Sequence, residues 1–110
     1  IKDCLEVAKE NGIIPTKTTI CGGGAKSNTW KQVIADVLEI PVYTLKTNQG
    51  PSYGAAILAM VGDGKYASVG DAVSHIIKVS GGIKPNPDKK DYYDRKYCVF
   101  KKLYHALKNL

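Results

Sequence analysis

A β-branched run, Thr18-Thr19-Ile20-Cys21, leads into Gly22-Gly23-Gly24-Ala25-Lys26-Ser27-Asn28, and these residues have the makings of a ligand-binding turn. Glycine loses more backbone entropy on folding than any other residue, so three in a row weaken a fold unless something must lie close to the backbone. Between a strand and a helix, that something is most often the phosphate or sugar of a nucleotide. The helix N-terminus offers it unpaired N–H groups and about half a positive charge. A tight strand-to-helix turn that binds nothing would use the same glycines, and local sequence leaves both readings open.

Two named phosphate motifs fail on specific residues. A P-loop needs glycine immediately before the lysine of Lys26-Ser27 and again five residues earlier, where Ala25 and Ile20 stand. The dinucleotide fingerprint can use Gly22 and Gly24 but then meets Ser27, and the second strand ends Thr44-Leu45-Lys46 without the acidic residue that holds a ribose. Asp36, Asp63 and Asp71 fall in a helix, a turn and a helix start with no partner chemistry around them. His75 and His105 lack metal-ligand spacing, and Cys4, Cys21 and Cys98 form neither a Cys-x-x-Cys pair nor an even disulfide framework. The chain therefore offers a binding turn, no catalytic residue and no metal ligand.

The elements that position the turn follow from periodicity. Ile1, Cys4, Leu5 and Ala8 form a helical face already running at the first residue, which points to a helix cut from a longer chain. Asp3 with Glu6 offers a local capping box, and Gly12 ends the helix in the left-handed position. Lys17 to Cys21 suits a buried strand. Trp30, Val33, Ile34, Val37 and Leu38 make one apolar helix face, expected to pack on the sheet. Ser27 or Asn28 can cap that helix, Thr29 with Gln32 can form a capping box, and Glu39-Ile40-Pro41 stops it. With Pro41 to Leu45 as a second strand the unit is βαβ, right-handed if the strands are parallel neighbours.

After the loop Asn48-Gln49-Gly50, Pro51 opens a helix with Tyr53, Ala56, Ile57, Met60 and Val61 on its apolar side. Gly54, Ala55, Ala56 and Ala59 thin another side, which suits close packing on a sheet, expected here, or else direct contact with a ligand. Ser68 to Ile77 reads as a short helix with Ala72, Val73, Ile76 and Ile77 inward. Ser80-Gly81-Gly82 through Pro85-Asn86-Pro87 reads as an extended connector. From about Lys89 to Leu107 a last helix places Tyr93, Tyr97, Phe100, Tyr104 and Leu107 on one face, expected in the core, with the basic residues opposite.

At 110 residues and 44 % hydrophobic, the chain supports one modest core and not two ordinary domains. Its formal charge of +6 raises nucleic acid or acidic membrane as partners, and from Lys89 onward seven basic residues face two acidic ones. A nucleic-acid surface needs aromatics and charges together, so their separation on opposite faces argues against that role. The cysteines read as reduced, structural thiols of a cytoplasmic protein. No apolar run reaches membrane length, and no signal-peptide pattern opens the chain.

Gly22-Gly23-Gly24-Ala25-Lys26-Ser27, Trp30, Gln32, Ala35-Asp36-Val37, Pro41-Val42 and Gly50-Pro51-Ser52-Tyr53-Gly54-Ala55-Ala56-Ile57-Leu58-Ala59 closely resemble the C-terminal end of the FGGY-family carbohydrate kinases. The likeness continues through Pro85-Asn86-Pro87 into the tyrosine-rich helix and is greatest to the xylulokinases of that family. Asn48-Gln49 is a mild departure, since a more acidic pair often precedes the glycine.

The resemblance implies an α/β fold, part of an actin-like ATPase (ribonuclease H-like) domain, with a βαβ core, packing helices and a C-terminal helix. It makes residues 1–110 a single-domain fragment, the C-terminal portion of the second, nucleotide-side domain. It assigns Gly22, Gly23 and Gly24 to close backbone contact with ATP or ADP, and places Ser27 and Asn28 near ribose or adenine. Lys26 suits either a phosphate neighbourhood or solvent. The implied activity is ATP-dependent phosphorylation of a ketopentose, D-xylulose to D-xylulose 5-phosphate. The catalytic aspartate, the sugar site in the N-terminal domain and the groups that hold Mg2+ all belong upstream, so the fragment alone is expected to be inactive. Homodimerisation of the parent is a further expectation, with no nucleic-acid or membrane partner. The alternatives are a kinase of another sugar or polyol in the same family, a basic nucleic-acid-binding module, and a kinase-fold remnant serving as an interaction domain.

Overall fold

Two β-branched runs make the centre of the sheet. β1 (Thr18–Ile20) and β2 (Val42–Leu45) pair in parallel, Thr18 opposite Val42 and Ile20 opposite Thr44. The structure, a computed structural model, describes residues 1–46 and 50–108, so the expected loop at Asn48-Gln49 lies outside the described residues. β3 (Val79–Ile83) pairs antiparallel on the other side of β2, which leaves Val42 fully buried in the middle strand. A strand here corrects the extended connector read from Gly81-Gly82. Gly81, at φ +57°, is the extra residue of a bulge, because Tyr43 pairs with Gly82 while Thr44 pairs with Ser80. Gly82 lies against the Tyr43 ring so closely that an added Cβ would stand 2.6 Å from it.

The helix α1 (Lys2–Glu10) starts a residue ahead of Asp3, so the expected Asp3–Glu6 capping box does not form. Asp3 instead accepts the Tyr97 hydroxyl, and Glu6 pairs with Lys9 at 3.0 Å. Gly12 does follow in left-handed geometry, φ +80°. Leu5 is buried, whereas Cys4, expected inward, is exposed, as are Cys21 and Cys98. The thiols are free, but they are not core residues.

The helix α2 (Asn28–Leu38) carries the glycine turn into the fold. Its cap is Ser27, whose Oγ accepts the Trp30 N–H at 3.2 Å, so Thr29 is already inside the helix and the Thr29–Gln32 box is absent. Gln32 donates instead to Asp36 at 2.7 Å and to the Lys84 carbonyl at 3.0 Å. The stripe Trp30, Val33, Ile34, Val37 and Leu38 was expected on the sheet, but it lines a groove of about 290 Å³ shared with the starts of α1 and the last helix. The sheet side is taken by a face that includes Asn28 and Lys31, which border Val42 and Thr44. Ala35, on that face and fully buried, lets the helix approach the strands closely. α2 ends on Glu39 in left-handed geometry, φ 59°, just before the Ile40-Pro41 pair.

Proline opens α3 (Pro51–Gly62), where Ile57 is buried and Leu58 is exposed. The small-residue side, Gly54, Ala55, Ala56 and Ala59, is exposed as well, which corrects the expected packing of that side on the sheet. α3 packs against α4 (Val69–Ile76), capped by Ser68, whose Oγ accepts the Asp71 N–H at 3.1 Å. Ala72 is fully buried, while Val73, expected inward, is 39 % exposed.

A buried carboxylate joins the last helix to α2. Asp36 accepts the Asn86 N–H at 2.7 Å, the Asn86 side chain caps Asp88 at 3.0 Å, and a 3-10 turn at Pro87–Lys89 leads into α5 (Lys90–Leu107). The first turns of α5 are then tied to α1 and to the end of α2. Lys2 reaches Asp94 at 2.8 Å and Glu39 at 3.4 Å, and Lys90 reaches Glu39 at 2.6 Å and Asp94 at 3.0 Å. Beyond Tyr97 the expected core face does not materialise: Phe100 is 57 % and Tyr104 72 % exposed. Charges and aromatics are not on opposite faces either, since Lys101 lies 4.9 Å from the centre of the Tyr97 ring and Lys96 5.6 Å from that of Tyr92. No helix among the described residues is long and apolar enough to cross a membrane.

Candidate nucleotide-binding site

The glycine turn follows the carboxyl end of β1, beside the carboxyl end of its parallel neighbour β2. Open α/β sheets bind ligands at that end of the strands. The three glycines are there for three different reasons. Gly22 sits at φ 80°, ψ −162°, a region essentially restricted to glycine. Gly24 faces the next helix, where an added Cβ would stand 2.7 Å from Trp30 Cδ1 and 3.0 Å from its Nε1. Gly23 has neither constraint: its φ is not positive, and a Cβ there would meet nothing within 4 Å.

The turn continues as a short 3-10 segment over Gly23–Lys26, in which the Gly22 carbonyl accepts from Ala25 and the Gly24 carbonyl from Ser27. The fold thus brings Gly22, Gly23, Gly24 and Ser27 into a single turn, with Asn28 opening α2 as an exposed residue. The Ser27 Oγ acceptor role is taken by Trp30, which leaves its hydroxyl proton to donate outward. Lys26 is exposed and makes no ion pair among the described residues. The sequence reading placed Trp30 in an apolar stripe and in the family motif but gave it no role at the turn. Its signal lay in the spacing to Gly24, which contact across the turn, not helical period, explains.

The shifted acid–base equilibria lie elsewhere, at the junction of α1, α2 and α5. Hydrogen bonds from Lys2 and then Lys90 bring the Asp94 carboxyl down to about 2. The Lys90 hydrogen bond, with that of Lys2, holds Glu39 below its usual value. The Asp3 hydrogen bond pushes the Tyr97 phenol up to about 12. These ion pairs and hydrogen bonds fasten helices, and Lys2, Asp3 and Tyr97 among them also line the groove beside α2. Among the described residues no group of His, Cys, Asp or Glu could hold a metal ion. The turn can offer backbone N–H groups, one hydroxyl and clear space at Gly23.

The family description "FGGY family of carbohydrate kinases, C-terminal domain" matches residues 1–62, which contain the whole turn. Xylulose kinase from Staphylococcus epidermidis is 36 % identical over 98 % of the chain, and xylulose kinase from Bacillus subtilis is 30 % identical over 100 % of it. The crystal structure of xylulose kinase from Rhodospirillum rubrum superimposes with a TM-score of 0.77 at 32 % identity, covering 98 % of this chain and 22 % of that one. The chain spans 22 % of the length of each of these two curated relatives.

Proposed function

Because the chain belongs to the FGGY family of carbohydrate kinases, with C-terminal-domain sequence most like xylulose kinase and the α/β architecture of the actin-like ATPases, we propose that it forms the adenosine wall of an ATP-dependent sugar kinase. Residues 1–110 are, in this reading, the C-terminal portion of the nucleotide-side domain. Gly22, Gly23 and Gly24 present their backbone to the nucleotide, Ser27 donates its hydroxyl proton, and Asn28 borders the ribose or adenine. The observation that carries the reading is Gly23. Neither backbone strain nor packing asks for glycine there, and the space its missing side chain leaves is where a ligand can approach.

ATP, when bound, supplies the phosphoryl group, and this segment's part is to bind and orient the other end of the molecule. Phosphoryl transfer depends on positioning and on stabilising the equatorial oxygens, commonly with Mg2+. That work falls to residues outside this chain, together with the sugar site and the general base. The substrate that the reading favours is D-xylulose, carried over from the names of the relatives. A coupled ADP-release assay tests both parts. The chain alone should show no sugar-dependent turnover, and a polypeptide of the relatives' full length that contains it should turn over D-xylulose faster than other ketoses and polyols. Turnover by the chain alone, or a full-length protein that phosphorylates no sugar, would end the reading.

A further inference from the structure

We infer that Trp30 is a positioning residue that clamps the glycine turn in its binding form, an inference that rests on the nucleotide reading above. One residue touches the turn at two points. Its indole edge packs on Gly24 so tightly that a methyl group there would stand 2.7 Å from Cδ1. Its backbone N–H holds Ser27 Oγ at 3.2 Å. Between these anchors the Gly24 carbonyl closes on the Ser27 N–H at 3.3 Å, so the segment from Gly24 to Ser27 is fixed at both ends. Gly23, the residue with open space beside it, is attached directly to the clamped end.

Core packing alone does not account for this tryptophan. It is 52 % exposed, which is more than a ring serving only to fill a core would show. Its half-exposed ring also borders the groove facing α5, so the contact with Gly24 uses only one edge. A wall on that edge stops the turn from folding back toward α2. The backbone N–H of Trp30 occupies one lone pair of Ser27 Oγ, a contact that does not depend on the side chain at position 30. With the wall removed, the glycines regain the freedom that makes an unclamped Gly-Gly-Gly segment costly to order around a ligand.

The test follows the backbone amides of Gly22, Gly23 and Gly24 by NMR in the 110-residue chain while ATP is added to about 10 mM, which reaches affinities near the millimolar level. Trp30→Ala should weaken ATP binding by about tenfold or more, with Trp30→Phe within about threefold of wild type. Gly24→Ala should also weaken binding about tenfold, but by less than about threefold when Trp30→Ala is already present, because the atom it collides with is gone. That non-additivity is read from soluble, folded variants by comparing melts, and Gly24→Ala alone carries the test if Trp30→Ala does not fold: an ATP affinity equal to wild type in folded Gly24→Ala would overturn the clamp. Equal ATP affinity in wild type and Trp30→Ala, or a Gly24→Ala effect of the same size in both backgrounds, would overturn the clamp while leaving the nucleotide reading in place. Glycine amides that ATP does not move in the wild type would remove the nucleotide reading, and the clamp with it.

Discussion

The turn after β1 and the outer half of α5 differ in what holds them. Three residues of the turn are set by features close at hand: Gly22 by its own backbone, Gly24 by an indole, Ser27 by the amide it caps. Among the described residues, by contrast, Phe100, Leu103, Tyr104 and Leu107 in the outer half of α5 stand exposed along a helix with no buried residue. Both regions have strong sequence patterns. The turn carries its context within it, whereas an amphipathic helix specifies a face and leaves open what covers it.

If that contrast is right, substitutions should separate by region more sharply than by residue size. Leu38→Ala, at the 6 % exposed end of α2, should show the largest loss, about 2–5 kcal/mol by chemical denaturation. Asp36→Ala comes next, because it leaves the Asn86 N–H without its acceptor and frees the lead-in to α5; about 1–3 kcal/mol is expected from the same measurement. An unchanged midpoint would mean that α5 is held by its ion pairs alone.

Asp94→Asn probes those pairs through pH. The folded Asp94 titrates near 2, below the value of about 4 for an unfolded aspartate, so its contribution is present above that unfolded value and lost as pH falls through 2. The melting-temperature gap between wild type and Asp94→Asn should therefore be open at neutral pH and close between about pH 4 and 2. A gap of constant size down to acid would show that the carboxylate's charge does not fasten α5. The smallest effect is expected at the helix end, where Tyr104→Ser should change stability by no more than about 0.5 kcal/mol. A loss several times larger would mean that this end is covered in solution, and the contrast between the two regions would collapse.

The same contrast explains how far the fold could be read from the residues. β1, the turn, α2 and β2 were legible because β-branched runs, Ser27, Pro41 and Pro51 act locally. β3 was not, because Gly81 and Gly82 have poor strand propensity and their purpose, a bulge and room for the Tyr43 ring, exists only once β2 is alongside. Two capping boxes were expected that do not form, since α1 starts from Ile1, ahead of Asp3, and α2 from Ser27, ahead of Thr29. The α2 stripe was correctly found and wrongly aimed, because periodicity does not say which neighbour a face meets. Within the site, the glycines and Ser27 could be named from sequence, but the division of labour among the three glycines needed coordinates.

The most direct test of the central claim is Gly23→Val in a polypeptide of the relatives' full length containing this segment, with ATP and D-xylulose kinetics measured beside a thermal melt. A Cβ at Gly23 would meet no atom within 4 Å, and the backbone there is not left-handed, so the melt should be unchanged. The side chain would occupy the nucleotide's space, so KM for ATP should rise at least about tenfold, or about 1.4 kcal/mol of lost binding, while KM for the sugar moves far less. An unchanged KM for ATP in a normally folded variant would contradict the account, because a glycine of the turn that neither backbone strain nor packing explains would then have no ligand to explain it.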